Sequence, residues 1–69
     1  MPVTYEIQIE DQLDPVWSEW LEGMVITPLS TGGTLLSGTL ADQAALYGLL
    51  NRIRDLNLEL VCVEKKGER

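Results

Sequence analysis

The side chains in this sequence that could do chemistry are few: Trp17 and Trp20 three residues apart, Cys62, a loop with Glu10, Asp11 and Asp14, and a polar stripe from Gln43 to Arg54. The chain has no His and a single Cys, so a Ser-His-Asp or Cys-His arrangement has no imidazole to accept the proton. A Cys/His zinc site is excluded on the same ground. The three carboxylates of the loop are the type of ligand that Ca²⁺ or Mg²⁺ takes. The Asp-x-Asp-x-Asp-Gly spacing is absent, however, and Asp14 is needed to cap the helix that Pro15 opens, so a solvated loop beside a helix N-terminus is the plainer reading. Paired carboxylates could also serve acid-base work, but that depends on a separation that sequence does not give.

Gly32-Gly33 makes no phosphate cradle, because it joins one β-like run to another rather than opening a helix whose N–H groups could face an anion. Cys62 lies within an apolar run, where a free Cys is usually a small buried hydrophobe; a reactive thiolate would need a cationic neighbour, and Lys65 is the nearest in sequence. These readings assign no catalytic, cofactor or metal residue, and the expectation is that the chain is not an enzyme.

The elements that must position these residues follow from hydrophobic periodicity. Val3, Tyr5, Ile7 and Ile9 alternate with Thr4, Glu6, Gln8 and Glu10, the period of a strand with one covered face. Asp14-Pro15 predicts a short helix over about Pro15 to Glu22, closed by Gly23, which takes a left-handed conformation without a Cβ penalty. Met24 to Leu29 reads as an edge strand, because Pro28 lacks the N–H that an interior strand must donate. Ser30-Thr31-Gly32-Gly33 turns it into a hairpin with Thr34 to Leu40. Thr39-Leu40-Ala41-Asp42 fits a capping box, and Leu46, Leu49, Leu50, Ile53 and Leu56 follow at helical spacing. Asn57 suits a left-handed C-cap, Leu58 to Val63 restarts as a strand, and 64–69 should fray.

The order is β-α-β-β-α-β, which predicts an α+β, ferredoxin-like fold: a four-stranded antiparallel sheet with two helices on one face. All 69 residues would form one small domain. The alternative is a hairpin with flanking helices that completes its sheet only with a second copy.

Charge and size say what such a domain could bind. The net charge is −6, and every base (Arg52, Arg54, Lys65, Lys66, Arg69) lies in the last eighteen positions, while residues 1–51 hold seven acids. Nucleic acid is a poor partner for such a surface, since phosphate affinity comes from clustered Lys and Arg. There is no positive, apolar signal-like N-terminus and no apolar run of the roughly 18 residues that span a bilayer; a cytoplasmic protein with a reduced Cys, away from membranes, is expected. For a chain this short, burial at roughly 25 cal/mol per Å² barely offsets ordering at about 1.5 kcal/mol per residue. Disulfides and zinc are excluded, so a homodimer or higher oligomer is the remaining way to add stability.

Several side chains are candidates for that interface, or for a ligand cleft. Trp17 and Trp20 share a broad helix face with Val16 and Leu21; they either cover the core or form a binding wall, where Trp is enriched. On the second helix Gln43, Tyr47, Asn51 and Arg54 recur at i, i+4, i+8 and i+11, opposite the core face. Gly48 beside them costs about 1 kcal/mol relative to Ala, which close approach of another backbone would offset. Arg52 and Arg54 are expected to pair with Asp55, Glu59 or the acidic N-terminal half. In the last strand Leu60 and Cys62 should face one way, Val61 and Val63 the other, and Leu35 should oppose Leu36. Apolar side chains on both faces imply a second face that is at least partly covered. The candidate interface or cleft residues are therefore Trp17, Trp20, Leu35, Tyr47, Gly48, Arg54, Val61 and Val63.

Trp17-Ser18-Glu19-Trp20, the run Gly33 to Gly38 and the run Asp42 to Leu56, which opens Asp-Gln-Ala-Ala-Leu and closes Arg-Ile-Arg-Asp-Leu, resemble a family of short bacterial and archaeal hypothetical proteins. Its members often carry His where this chain has Tyr47 and Gly where it has Asn57. The first exchange argues against imidazole chemistry at that place, and the second is between residues that tolerate φ > 0. The resemblance implies no activity.

The reading that results is a self-associating interaction or regulatory module. The alternatives are a small-ligand sensor similar in topology to ACT domains, or an isomerase- or oxygenase-type enzyme with the Trp pair lining an apolar pocket and Tyr47 or Asp42 handling protons.

Overall fold

A computed structural model describes residues 2–68. Strand β1 (Val3–Ile9) alternates as its sequence does, with Val3, Tyr5, Ile7 and Ile9 buried. Asp14 then caps a short 3-10 turn, Pro15–Ser18, accepting from the Val16 N–H at 3.0 Å. Strands β2 (Val25–Pro28) and β3 (Thr34–Leu40) form the expected hairpin, followed by helix α1 (Gln43–Asp55) and strand β4 (Leu60–Glu68). The sheet order is β2-β3-β1-β4, with every neighbouring pair antiparallel.

The two-helix, ferredoxin-like expectation is overturned, because among the described residues there is one α-helix. The stretch from Pro15 to Glu22 is too short and too poor in helix formers to sustain regular turns: Val16, Trp17 and Trp20 lose side-chain freedom in a helix, and the Ser18 hydroxyl competes for backbone groups. Its end is fixed by two successive left-handed residues, Glu22 (φ 61°) and Gly23 (φ 73°). Gly23 takes the conformation expected of it, and Glu22 takes it as well without glycine's freedom. The Ser18 hydroxyl donates to the Met24 carbonyl at 2.7 Å, and the Gly23 N–H donates to the Ser18 carbonyl at 2.8 Å, closing the segment back on itself. Leu21, fully buried, pins it to the sheet.

Three further expectations change. Thr39 does not cap α1: it is still in β3, sharing a 3.1 Å hydrogen bond with Thr4, and Asp42 caps the helix by accepting from the Ala45 N–H at 2.9 Å. Residues 64–68 do not fray but continue β4 along β1; Arg69 lies outside the described residues. The faces of β4 are also reassigned. Its register shifts between Gln8 and Ile9, so Leu60 lies opposite Ile9, Cys62 opposite Gln8 and Val63 opposite Ile7. Directly opposed residues share a face, which puts Leu60 and Val63 together on the core side, Cys62 on the other, and Val61 in the bulge.

The core is one cluster. Val3, Tyr5, Ile7 and Ile9 of β1, Ile26 of β2, and Leu36 and Leu40 of β3 meet Leu46, Leu49 and Ile53 of α1, closed at one end by Leu13, Leu21 and Met24. Thr34, the buried polar side chain among them, accepts from the Leu13 N–H at 3.1 Å and donates to the Asp11 carbonyl at 2.8 Å, tying the loop after β1 to the start of β3. Gly33 is required there, since a Cβ would stand 2.6 Å from the Ile9 carbonyl oxygen.

Candidate functional site

Two surfaces stand out, on opposite edges of the sheet. The first is built on the 3-10 turn. Because the turn is anchored through Leu21 and closed by Ser18, it holds Val16, Trp17, Glu19 and Trp20 outward, where they and Arg52 of α1 line an open cleft of about 540 Å³. The indoles of Trp17 and Trp20 meet edge to face, centroids 6.1 Å apart and planes at 76°. Each Trp keeps 39% of its surface exposed and Val16 keeps 76%. The tryptophans therefore form a wall outside the core rather than part of it.

Arg52 fixes that wall from the helix side. Its guanidinium lies over the Trp20 ring, 5.4 Å from the centroid, donates to the Trp20 carbonyl and approaches Glu22 at 3.4 Å. Stacking of this kind draws on the attraction of a cation for the negative face of the ring. Its pairing with the acidic N-terminal half agrees with the charge pattern of the sequence; its stacking had no sequence signal, because 32 residues separate Arg52 from Trp20.

The second surface is β4 and its flank. Leu60 (45% exposed), Val61 (46%) and Val63 (36%) lie along a strand that pairs with β1 on one side only. Beside it Leu50, Ile53, Arg54, Asn57, Leu58 and Leu60 line a groove of about 260 Å³, because α1 packs over the centre of the sheet and leaves this margin open. Leu60 escaped the sequence reading because a regular two-residue period would have faced it with Cys62; only the bulge brings it beside Val63.

The other candidates are scattered. Leu35 is half-buried on the sheet face away from α1, opposite Gln8 and Thr27. Tyr47 is exposed and accepts from the Gln43 side-chain amide at 3.1 Å. Gly48 faces open space, so no neighbouring backbone within the chain accounts for it. Arg54 lies 3.8 Å from Asp55. Cys62 is exposed rather than buried, its thiol 3.9 Å from the Gln8 side-chain oxygen.

The acidic loop is occupied structurally. Asp11 accepts from the Glu59 N–H at 2.8 Å and Asp14 caps the turn, while a depression of about 470 Å³ is lined by Gln12, Leu13, Asp14, Pro15, Pro28 and Thr34. Among the described residues no group of three or more Cys, Asp or Glu is placed to hold a metal ion, and no helix is long and apolar enough to cross a membrane.

Residues 4–64 match the family described as a domain of unknown function, DUF8691. The chain belongs to this family. The matched span takes in the Trp17–Trp20 wall, Arg52 and the apolar half of β4. No curated protein and no solved structure matches the chain.

Proposed function

We propose that this member of the family is a non-enzymatic interaction module that associates with a second copy of itself through the β4 edge. One observation carries the reading: a nine-residue edge strand, bonded to β1 alone, that exposes Leu60, Val61 and Val63. Such an edge is a row of main-chain donors and acceptors ready to pair. Antiparallel pairing about a two-fold axis sets the core-side residues Leu60 and Val63 of both copies side by side, and the groove next to α1 then continues from one copy to the other. Burial on that margin supplies apolar area that a chain of this length lacks.

Pairing is confined to the first half of β4. Lys65 and Lys66, with the register shift between Thr4 and Tyr5, are devices that blunt an edge, and Lys66 lies 3.8 Å from Glu6. The apolar half has its own register shift, at Val61, but no charged residue and no proline.

Light scattering across a dilution series tests the reading. The wild-type chain is expected to be a dimer at micromolar concentration, and a Val61→Lys/Val63→Lys variant a folded monomer. A wild-type monomer at every concentration overturns self-association. A dimer that survives the double substitution overturns its assignment to β4.

A further inference from the structure

We propose that the Trp17–Trp20 cleft is a docking surface for a proline-rich segment in the polyproline II conformation, with a Lys or Arg next to its prolines. The cleft lies on the side of the sheet away from β4, so both surfaces can be occupied in one molecule.

The shape of the cleft selects the occupant first. Two indoles at 76° form an open angle with aromatic walls, and pyrrolidine rings pack against aromatic faces in such grooves. The wall is preformed: Trp20 is held by Arg52 over its ring and through its carbonyl, and the segment from Pro15 to Gly23 that carries both rings is closed by the Ser18 and Leu21 hydrogen bonds. A preformed site avoids the cost of ordering side chains on binding.

The backbone around the cleft selects against the other peptide modes. The Trp17 N–H donates to Asp14, the Leu21 N–H to Trp17 and Ser18, and the Trp20 carbonyl accepts from Arg52. An added β-strand would need main-chain partners that are already engaged here. A docked helix would need anchors over two turns, whereas Val16, Trp17 and Trp20 offer room for one or two side chains. A polyproline II segment needs neither, since it has no internal hydrogen bonds and its backbone stays in water. An enclosed small-molecule site would bury most of its ligand; this cleft is open and its two tryptophans remain 39% exposed.

Charge selects the flank. The guanidinium of Arg52 is matched by Glu22 at 3.4 Å, and Glu19 stands exposed on the cleft wall. The charged residues at the cleft are thus two acids, Glu19 and Glu22, and one base, Arg52. A basic residue beside the prolines meets this field, and an acidic one opposes it.

Intrinsic fluorescence is a direct test, because the two tryptophans of the chain both line the cleft. The probes are an eight-residue polyproline peptide ending in two Arg, and its counterpart ending in two Glu. The Arg peptide is expected to shift the emission to the blue saturably and to bind at least several-fold more tightly than the Glu peptide. Trp17→Ala should weaken it by about tenfold or more. Glu19→Lys, on an exposed position, should reverse the preference between the two peptides and decides the matter if Trp17→Ala fails to fold. No emission change at millimolar peptide, or equal binding of both peptides, overturns the proposal. An emission shift on diluting the protein alone also overturns it, because the cleft would then be a contact between copies.

Discussion

The two edges of the sheet are handled differently. β2 has four residues, ends in Pro28 and has the 3-10 turn packed against it, with Ile26 buried and Val25, Thr27 and Pro28 exposed. β4 has nine residues, no proline and no cover, and its side chains from Leu60 to Lys66 are all exposed. Short length, proline and a covering segment are the means by which proteins remove an edge from circulation. This chain applies the first two to β2 and the third in part, and applies lysines and a bulge to the far half of β4. What is left is the uncharged, proline-free stretch Leu60 to Val63, interrupted by the bulge at Val61 and open to pairing. The contrast locates self-association at one edge and frees the covering segment at the other to present the tryptophans.

The largest effect is expected from dismantling the cover of β2. Leu21→Ala removes a fully buried side chain and should cost about 2–5 kcal/mol, read from the midpoint of urea denaturation. The turn should then detach from β2 before the rest of the fold melts, so Trp emission should change at lower urea than far-UV circular dichroism. Coincident transitions with a loss under about 0.5 kcal/mol, the range of an ordinary surface substitution, would mean that Leu21 does not hold the turn, and the contrast between the edges would lose its basis.

A smaller loss is expected at the hydroxyl that anchors the loop leading into that cover. Thr34→Val leaves the Leu13 N–H and the Asp11 carbonyl without their side-chain partner, at a cost of about 1–3 kcal/mol. Thr34→Ser keeps the hydroxyl and should recover most of it. Hydrogen exchange at the Leu13 amide separates the two: fast in the Val variant, slow in the Ser variant. Because Asp11 also accepts from the Glu59 N–H, the same substitution should loosen the entry to β4 and so couple the two edges.

The strands and the helix were legible because their signals are local. Period two in β1, Pro28 in β2, the glycine turn before β3 and the leucine spacing of α1 each act over a few residues. The left-handed Gly23 and Asn57 were legible for the same reason. What was missed depends on partners far along the chain. Whether Pro15 to Glu22 makes a helix or one turn is decided by where the chain must rejoin the sheet, and the bulge that turns Leu60 to the core side is set by β1. Likewise the spacing of Trp17 and Trp20 pointed to a shared face, but only the packing of the turn against α1 brings Arg52 over the indole. The tryptophans do not join the core; Leu21 and Met24 of the same stretch do.

The smallest effect sharpens the comparison by testing a surface that belongs to neither edge. Gly48 sits on the exposed side of α1, and a Cβ built there meets nothing within 4 Å. Gly48→Ala should therefore raise stability by about 0.5–1 kcal/mol, the helix-propensity difference between the two residues, seen as a higher urea midpoint. If association runs through β4, the added methyl leaves the dimer's dissociation constant unchanged. If the notch at Gly48 were instead the place where two helices meet, the methyl would stand between them and the dimer would weaken even as the monomer became more stable. Opposite movement of the two quantities would transfer the interface from the sheet edge to the helix, whereas a gain in stability alone leaves β4 as the edge that pairs.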